Sequence, residues 1–478
     1  MTKKDSLNYQ LLSYQLQMNL RALDFPEELL PFDHLNCVPV EFALEASGKG
    51  RFLFDSEMSL SAFYQRMVGF TDWVDQAIKN MRVGSKAGVV FPKVVVNKMI
   101  DRMQEFYEPD VGKSPFYQGI DKNIKNISSK SQSIWKEKYY HLIKGRVNPA
   151  YLKLLNFLEN EYVHKARESI GMSELPNGIE WYQFRSEFFT SSTQTIKEIH
   201  QLGLNEVERI HKALTKLQQG DAYKGFTSLE QSNDPEKLIN GYAELYDLTR
   251  QKIELLFNDI PKTALYFEET NIVSHYKPGN LEKNLPGKFM LNTRGSGFVS
   301  NSLFLHEAVP GHHYQISLQQ EMKLPAFRRL AYMGAYIEGW GLYAESLGYD
   351  LGLYQHPRQE ETRYHMELLR AIRLVVDTGV HGMHWSYEKA LNYMKAYGFN
   401  YRSELDRYIA IPAQALSYKV GEQSILNLKK RVKQSQKDEF DVKQFHDLIL
   451  GQGAVPLFVL EEMVDDYLNN YAKLNSNS

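Results

Sequence analysis

Four residues after His306 of a His306-Glu307 pair, where a regular helix would bring a side chain back over the histidine, this chain has Pro310. The segment reads Leu303-Phe304-Leu305-His306-Glu307-Ala308-Val309-Pro310-Gly311-His312-His313-Tyr314-Gln315. A His-Glu pair on an apolar helix, followed by another histidine, is the skeleton of a zinc site. Such a site binds imidazole nitrogens at about 2.0–2.1 Å and keeps one position for water. Two ligands on one helix must lie about one turn apart, usually as H-E-x-x-H with the second histidine at i+4. Here His312 stands at i+6, about 240° round a regular helix, and His313 at i+7, on the right side but about 10 Å along the axis. Neither can share a metal with His306 on a straight helix. Proline removes a helical hydrogen bond and glycine tolerates the distorted backbone. A bulge at Pro310–Gly311 is therefore expected to absorb two extra residues and swing a histidine back onto the metal face. The alternative is that the helix ends there and the histidines are incidental.

Glu338 weighs against that alternative. It lies in Tyr336-Ile337-Glu338-Gly339-Trp340-Gly341-Leu342-Tyr343-Ala344-Glu345, 26 residues after His312. A site of two histidines and one glutamate takes its glutamate from a second helix, roughly 20–30 residues on. The apolar and aromatic neighbours of Glu338 argue against a solvated carboxylate, and a buried one needs a partner. Glu345 lies seven residues later, on the same face two turns away.

Composition excludes other classes. Of 478 residues, 43% are hydrophobic and 24% charged, ordinary values for a globular chain. Lys plus Arg (56) nearly balance Asp plus Glu (58), so no nucleic-acid or membrane-surface binding is expected. No apolar run is long enough to span a bilayer. The single Cys37 rules out an internal disulfide and any cysteine-based metal cluster. The N-terminal Met1–Gln10 lacks the apolar core of a secretory leader. The compartment stays open: cytoplasmic, or periplasmic or lipid-anchored if a leader has been removed.

Helical periodicity dominates, with Gly and Pro sparse. The expectation is a mostly α protein with an N-terminal helical region, 1–170, and a catalytic region, 171–478, divided near the turn Pro176–Gly178, or one continuous domain in two lobes. Only Val273–Val299, rich in Gly and Pro, reads as loops with one or two short strands, such as Lys288–Leu291. That small β element precedes the metal-binding helix.

The strings HEAVPGHHYQ, EGWGLYAE, LRAIRLVVDTGVH, IPAQALSYKVG and LILGQGAVP resemble the bacterial domain of unknown function 885 family, as do EIHQLGLNEVERI and PGKFMLN upstream. The likeness runs co-linearly from about Tyr9 to about Tyr467. That family resembles gluzincin-type zinc metallopeptidases with a lengthened H-E-x-x-x-x-H motif. It implies a helical zincin-like fold with a cleft, a Zn²⁺ ion and a peptide substrate, and it brings no defined substrate sequence. Its members often begin with a leader and a longer N-terminal stretch.

The metal ligands expected are His306, His312 and Glu338, with His313 as the substitute for His312. Glu307 is the expected general base toward the attacking water and later the proton donor to the leaving amine. Glu345 is a candidate to orient a ligand histidine. By analogy with related peptidases, His381 and Tyr418 are the expected donors to the oxyanion, with Asp377 orienting His381 at i+4. Arg370 and Arg373 could hold a peptide carboxylate, but a structural Arg373–Asp377 pair is the preferred reading, and His200 and Arg209 are read as structural. The activity expected is hydrolysis of short peptides. The alternatives are a zinc-dependent amidase or other hydrolase, and a non-catalytic peptide-binding protein on the same fold.

Overall fold

Fifteen consecutive residues of one helix, from Glu367 to His381, have no exposed side. The helix that holds them, Pro357–Gly382, is called the central helix below. The computed structural model describes residues 2–48, 52, 54–124, 126–224, 229–280, 284–295 and 297–476. The chain is mostly helical, as its periodicity predicts, with one three-stranded sheet among the described residues.

In the N-terminal part the helix Glu57–Ala87 shows how the sequence builds these elements. Leu60, Phe63, Met67, Phe70, Val74, Ile78 and Met81 recur at three- and four-residue spacing and all are buried. The Ser56 hydroxyl starts the helix by accepting from the Ser59 amide at 3.2 Å. Gly88, at φ 76°, ends it in the left-handed conformation. Its apolar stripe joins Val95 and Met99, Leu154 and Leu158, and Leu368, Ile372 and Val376 of the central helix in one core. That core draws on helices from both sides of residue 170.

A second core lies under the sheet and the C-terminal helices. Strands β1 (Leu265–Thr270), β2 (His275–Lys277) and β3 (Gly287–Asn292) are ordered β1-β3-β2, with β1 parallel and β2 antiparallel to β3. The expected Lys288–Leu291 piece lies within β3. The sheet has one strand more than the Gly- and Pro-rich sequence suggested, because β1 begins before that stretch. Phe289 and Leu291 of β3 turn inward into the core that also holds Phe304 and Leu305 of the short helix Asn301–Glu307, the His306 helix.

Next come His312–Glu321 (the His312 helix), Gly334–Ser346 (the Glu338 helix) and Ser417–Gln436 (the Tyr418 helix). The last two cross at Gly339 and Gly421. A Cβ at Gly421 would collide with the Ala335 carbonyl oxygen, and one at Gly339 with the Gly421 backbone. Backbone therefore touches backbone where Glu338 and Tyr418 are carried past each other.

Buried charge fixes the Tyr418 helix from its other side. Lys419, fully buried, reaches Glu206 at 3.0 Å, Glu367 at 2.7 Å and Glu422 at 2.6 Å. Arg209 pairs with Glu206 and Glu367, and Arg363 with Glu367 at 3.1 Å. Three acids meet three bases, so no buried charge here lacks a partner. The network ties the Tyr418 helix to the central helix and to Ile196–Gln219. Among the described residues no helix is long and apolar enough to cross a membrane.

The crossing makes a direct prediction. Gly421→Ala must push the two helices apart or unfold the contact, at a cost of about 1–3 kcal/mol or more. Chemical denaturation of the variant should show that loss, and wild-type stability would mean that the helices can part freely.

Candidate metal centre

The His306 helix does not bulge at Pro310–Gly311. It stops at Glu307, and a new helix starts at His312. Between them the backbone leaves helical geometry, with Ala308 at φ −106°, ψ −104° and Gly311 at φ −75°, ψ −131°. Pro310 has no N–H to give the His306 carbonyl, which removes the bond that would continue the helix. Gly311 then lies so close to that carbonyl and that of Leu305 that any side chain would collide with them. The Trp340 indole N–H caps the break by donating to the Pro310 carbonyl at 2.7 Å. The break, in place of a bulge, brings the second histidine round.

His306 and His312 end with ring centroids 4.7 Å apart, at 79°. Glu338 Oε2 lies 3.6 Å from His306 Nε2 and 3.4 Å from His312 Nε2. All three side chains are buried, and each offers a ligand atom within 4.8 Å of the others; the group could hold a metal ion. Tetrahedral zinc with bonds of about 2.0–2.1 Å sets its ligand atoms about 3.4 Å apart. Charge-assisted hydrogen bonds are shorter, about 2.7–2.9 Å. The observed separations suit donors converging on a common centre better than donors bonded to one another.

The electrostatics agree. Burial opposes a charge on His306, but Glu338, Glu345 and Glu307 outweigh it and push the imidazole up to about 9. Glu338, which burial alone would raise, is held well below the usual carboxylate range by His306 and His312. The pocket therefore favours positive charge among these donors, as a proton on His306 or a bound cation would supply.

Glu345 orients His306 by accepting from Nδ1 at 2.9 Å, which leaves Nε2 to face the group. Ser302 Oγ donates to the other oxygen of Glu345. Gly341 gives the His306 ring its seat, since a Cβ there would stand 2.7 Å from Cε1. His313, next in the chain to His312, turns the other way. Its Nδ1 lies 3.1 Å from the Tyr276 hydroxyl, and burial pushes it down to about 4. The structure therefore brings His312 to the group and not His313.

Glu307 ends the His306 helix, and its Oε2 accepts the Tyr276 amide of β2 at 2.8 Å. That N–H belongs to the free edge of β2, so the sheet reaches the centre at this bond. Tyr418 lies beside His306, with its ring 18° from parallel and 6.4 Å away between centroids.

His381 is not brought to the group. It is fully buried, accepts the Met172 amide at Nδ1 (3.1 Å) and faces the Tyr408 carbonyl with Nε2 (3.0 Å). Both nitrogens are thus taken by backbone, and burial pushes the ring down to about 3. Asp377 does not orient it. One oxygen of Asp377 accepts the Tyr182 hydroxyl at 2.5 Å and the Ala413 amide at 3.0 Å. The expected Arg373–Asp377 pair does not form, because Arg373 reaches out of its own helix to Glu404 at 3.0 Å. Arg370 caps the Met366 carbonyl at 3.0 Å. His200 bonds Thr378 at 2.7 Å and Arg209 joins the buried network, both in structural places.

Tyr332 has no signal in the sequence. It precedes the Glu338 helix, and its hydroxyl lies 3.5 Å from Glu338 Oε1 while its ring stays open to solvent. Burial of that hydroxyl end, with Glu338 beside it, raises its pKa well above the ordinary value. Lys419 also escaped notice, although Glu422 three residues later is the one partner a helical spacing would show.

The family model for the bacterial protein of unknown function DUF885 matches residues 1–464, and the chain belongs to that family. A candidate lipoprotein from Colwellia psychrerythraea, known as a crystal structure, is 28% identical with a TM-score of 0.80, over 87% of this chain and 77% of that one. A second, from Shewanella oneidensis and of unknown function, is 17% identical with a TM-score of 0.72, over 97% and 88%. The latter likeness shows the fold. No functionally curated protein matches the chain.

Asp377 gives a prediction with a definite sign. Burial pushes its carboxyl from 3.8 up to about 7. The folded protein therefore holds this proton more tightly than the unfolded chain. The stabilising contribution is complete below pH 3.8 and is lost as pH rises to about 7. Asp377→Asn cannot ionise. Unfolding free energies of wild type and variant, measured from pH 4 to 8, should diverge in the variant's favour by up to roughly 4 kcal/mol. A pH-independent difference would remove the assignment.

Proposed function

We propose that the chain is a zinc-dependent peptidase that hydrolyses short peptides, with His306, His312 and Glu338 holding the metal and Glu307 as general base. The observation that carries this reading is the convergence of His306 Nε2 and His312 Nε2 on Glu338 Oε2, at 3.6 and 3.4 Å, with Glu307 next in the chain to His306. The peptide as substrate comes from the likeness of the motifs to gluzincin-type peptidases. Zinc, when bound, supplies a Lewis acid that polarises a carbonyl and makes water acidic near neutral pH.

The residues of the chain do the rest. The Tyr276 amide holds one oxygen of Glu307, and the other, which no hydrogen bond among the described residues claims, takes the proton of the attacking water and returns it to the leaving amine. Glu345 keeps His306 in the tautomer with Nδ1–H, so Nε2 remains a ligand. The hydroxyls of Tyr418 and Tyr332 are the donors for the oxyanion. His381 is given no part in the reaction, since the backbone claims both its nitrogens.

Two measurements on one sample test the reading. The purified protein should carry about one zinc per chain, as three protein ligands imply. His306→Ala and Glu338→Ala should lose it, and His313→Ala should keep it. Glu307→Gln should retain both zinc and fold while peptide cleavage, followed by mass spectrometry of a peptide library, falls by at least roughly 10²-fold. Near-normal cleavage by Glu307→Gln sinks the mechanism, and zinc loss in that variant would make Glu307 structural to the site.

A further inference from the structure

Tyr418 is gripped from several sides. Its ring is parallel to that of His306 within 18° and is 9% exposed. The Arg373 guanidinium stands 4.6 Å from its ring centroid and that of Arg407 5.9 Å. Arg407 Nη2 also donates to the Tyr418 hydroxyl oxygen at 3.2 Å. A guanidinium has donors only, so in this bond the tyrosine oxygen can only accept. The hydroxyl hydrogen is left over, and among the described residues no group accepts it. The Tyr332 hydroxyl, 3.5 Å from Glu338 Oε1, stands at the same group.

Arg407 is itself held. The same Nη2 donates to Gln414 Oε1 at 2.6 Å, and Nη1 lies 3.7 Å from Glu404, the carboxylate that also binds Arg373. Gln414 follows Ala413, whose left-handed backbone (φ 71°) is pinned by the bond from its amide to Asp377. One guanidinium nitrogen thus ties the turn to the tyrosine, while the other faces Glu404 and fixes the plane of the group.

We propose that Arg407 is a positioning residue: it holds the Tyr418 hydroxyl beside His306 as an acceptor, so that the hydroxyl hydrogen is reserved for the oxygen of the substrate carbonyl. Its part in turnover rests on the peptidase reading. Its part in placing Tyr418 does not. The competing role is a plain structural tie between residues 402–410 and the turn at 414–416.

The test uses the zinc-loaded full chain and the variants Arg407→Met, Arg407→Lys, Tyr418→Phe and Arg407→Met/Tyr418→Phe. The crystal structure of Arg407→Met should show the Tyr418 ring displaced from His306, with zinc content unchanged. Its kcat should fall at least about tenfold with KM little altered, as for loss of a donor that acts in the transition state. The double variant should be no slower than Tyr418→Phe, and Arg407→Lys should lie between Arg407→Met and wild type. Tyr418 in its original place, or a kcat loss in the double variant that multiplies the two single losses, overturns the proposal. Should Arg407→Met fail to fold, wild-type kcat in Arg407→Lys would leave Arg407 a fold residue only and overturn it equally. A wild-type protein that cleaves no peptide removes the peptidase reading, while the position of Tyr418 in Arg407→Met still decides this one.

Discussion

The close crossing of two helices at Gly339 and Gly421 underlies the candidate centre. There backbone meets backbone, and the residues flanking the contact are Glu338 on one helix, Tyr418 and Lys419 on the other. Pulling Glu338 back by a side chain's width would take its carboxylate out of reach of both histidines. The buried Lys419 network keeps the second helix from rolling about that contact, because rotation would strand a charge in the interior. Contact and charge together set distance and angle.

The helical character was legible in the sequence, since apolar spacing such as that of Leu60 to Met81 is a local signal. So was the grouping of His306, His312 and Glu338, because metal chemistry demands particular side chains and a helix breaker stood where regular geometry had to fail. How it fails was not legible. A bulge and a complete stop require the same Pro-Gly pair, and only packing against Trp340 distinguishes them. His381 shows the opposite error. Analogy with related peptidases and an acid at i, i+4 suggested function, yet its ring nitrogens are satisfied by the amide of residue 172 and the carbonyl of residue 408. Such backbone partners leave no trace in side-chain spacing. Tyr332 escaped for a related reason: it reaches Glu338 from a loop, where no periodicity applies.

The break between Glu307 and His312 has a consequence for how such centres are found and how they change. When both histidines stand on one helix, their separation is dictated by pitch, and one inserted or deleted residue abolishes the site. Here each histidine belongs to its own short helix, joined by four residues of irregular backbone. Separation along the chain becomes a property of a connector, whose length can drift over generations while the donors stay put. A search written around a fixed interval will pass over chains of this kind, and the marker to look for is the pair of helix ends that bring the two imidazoles together.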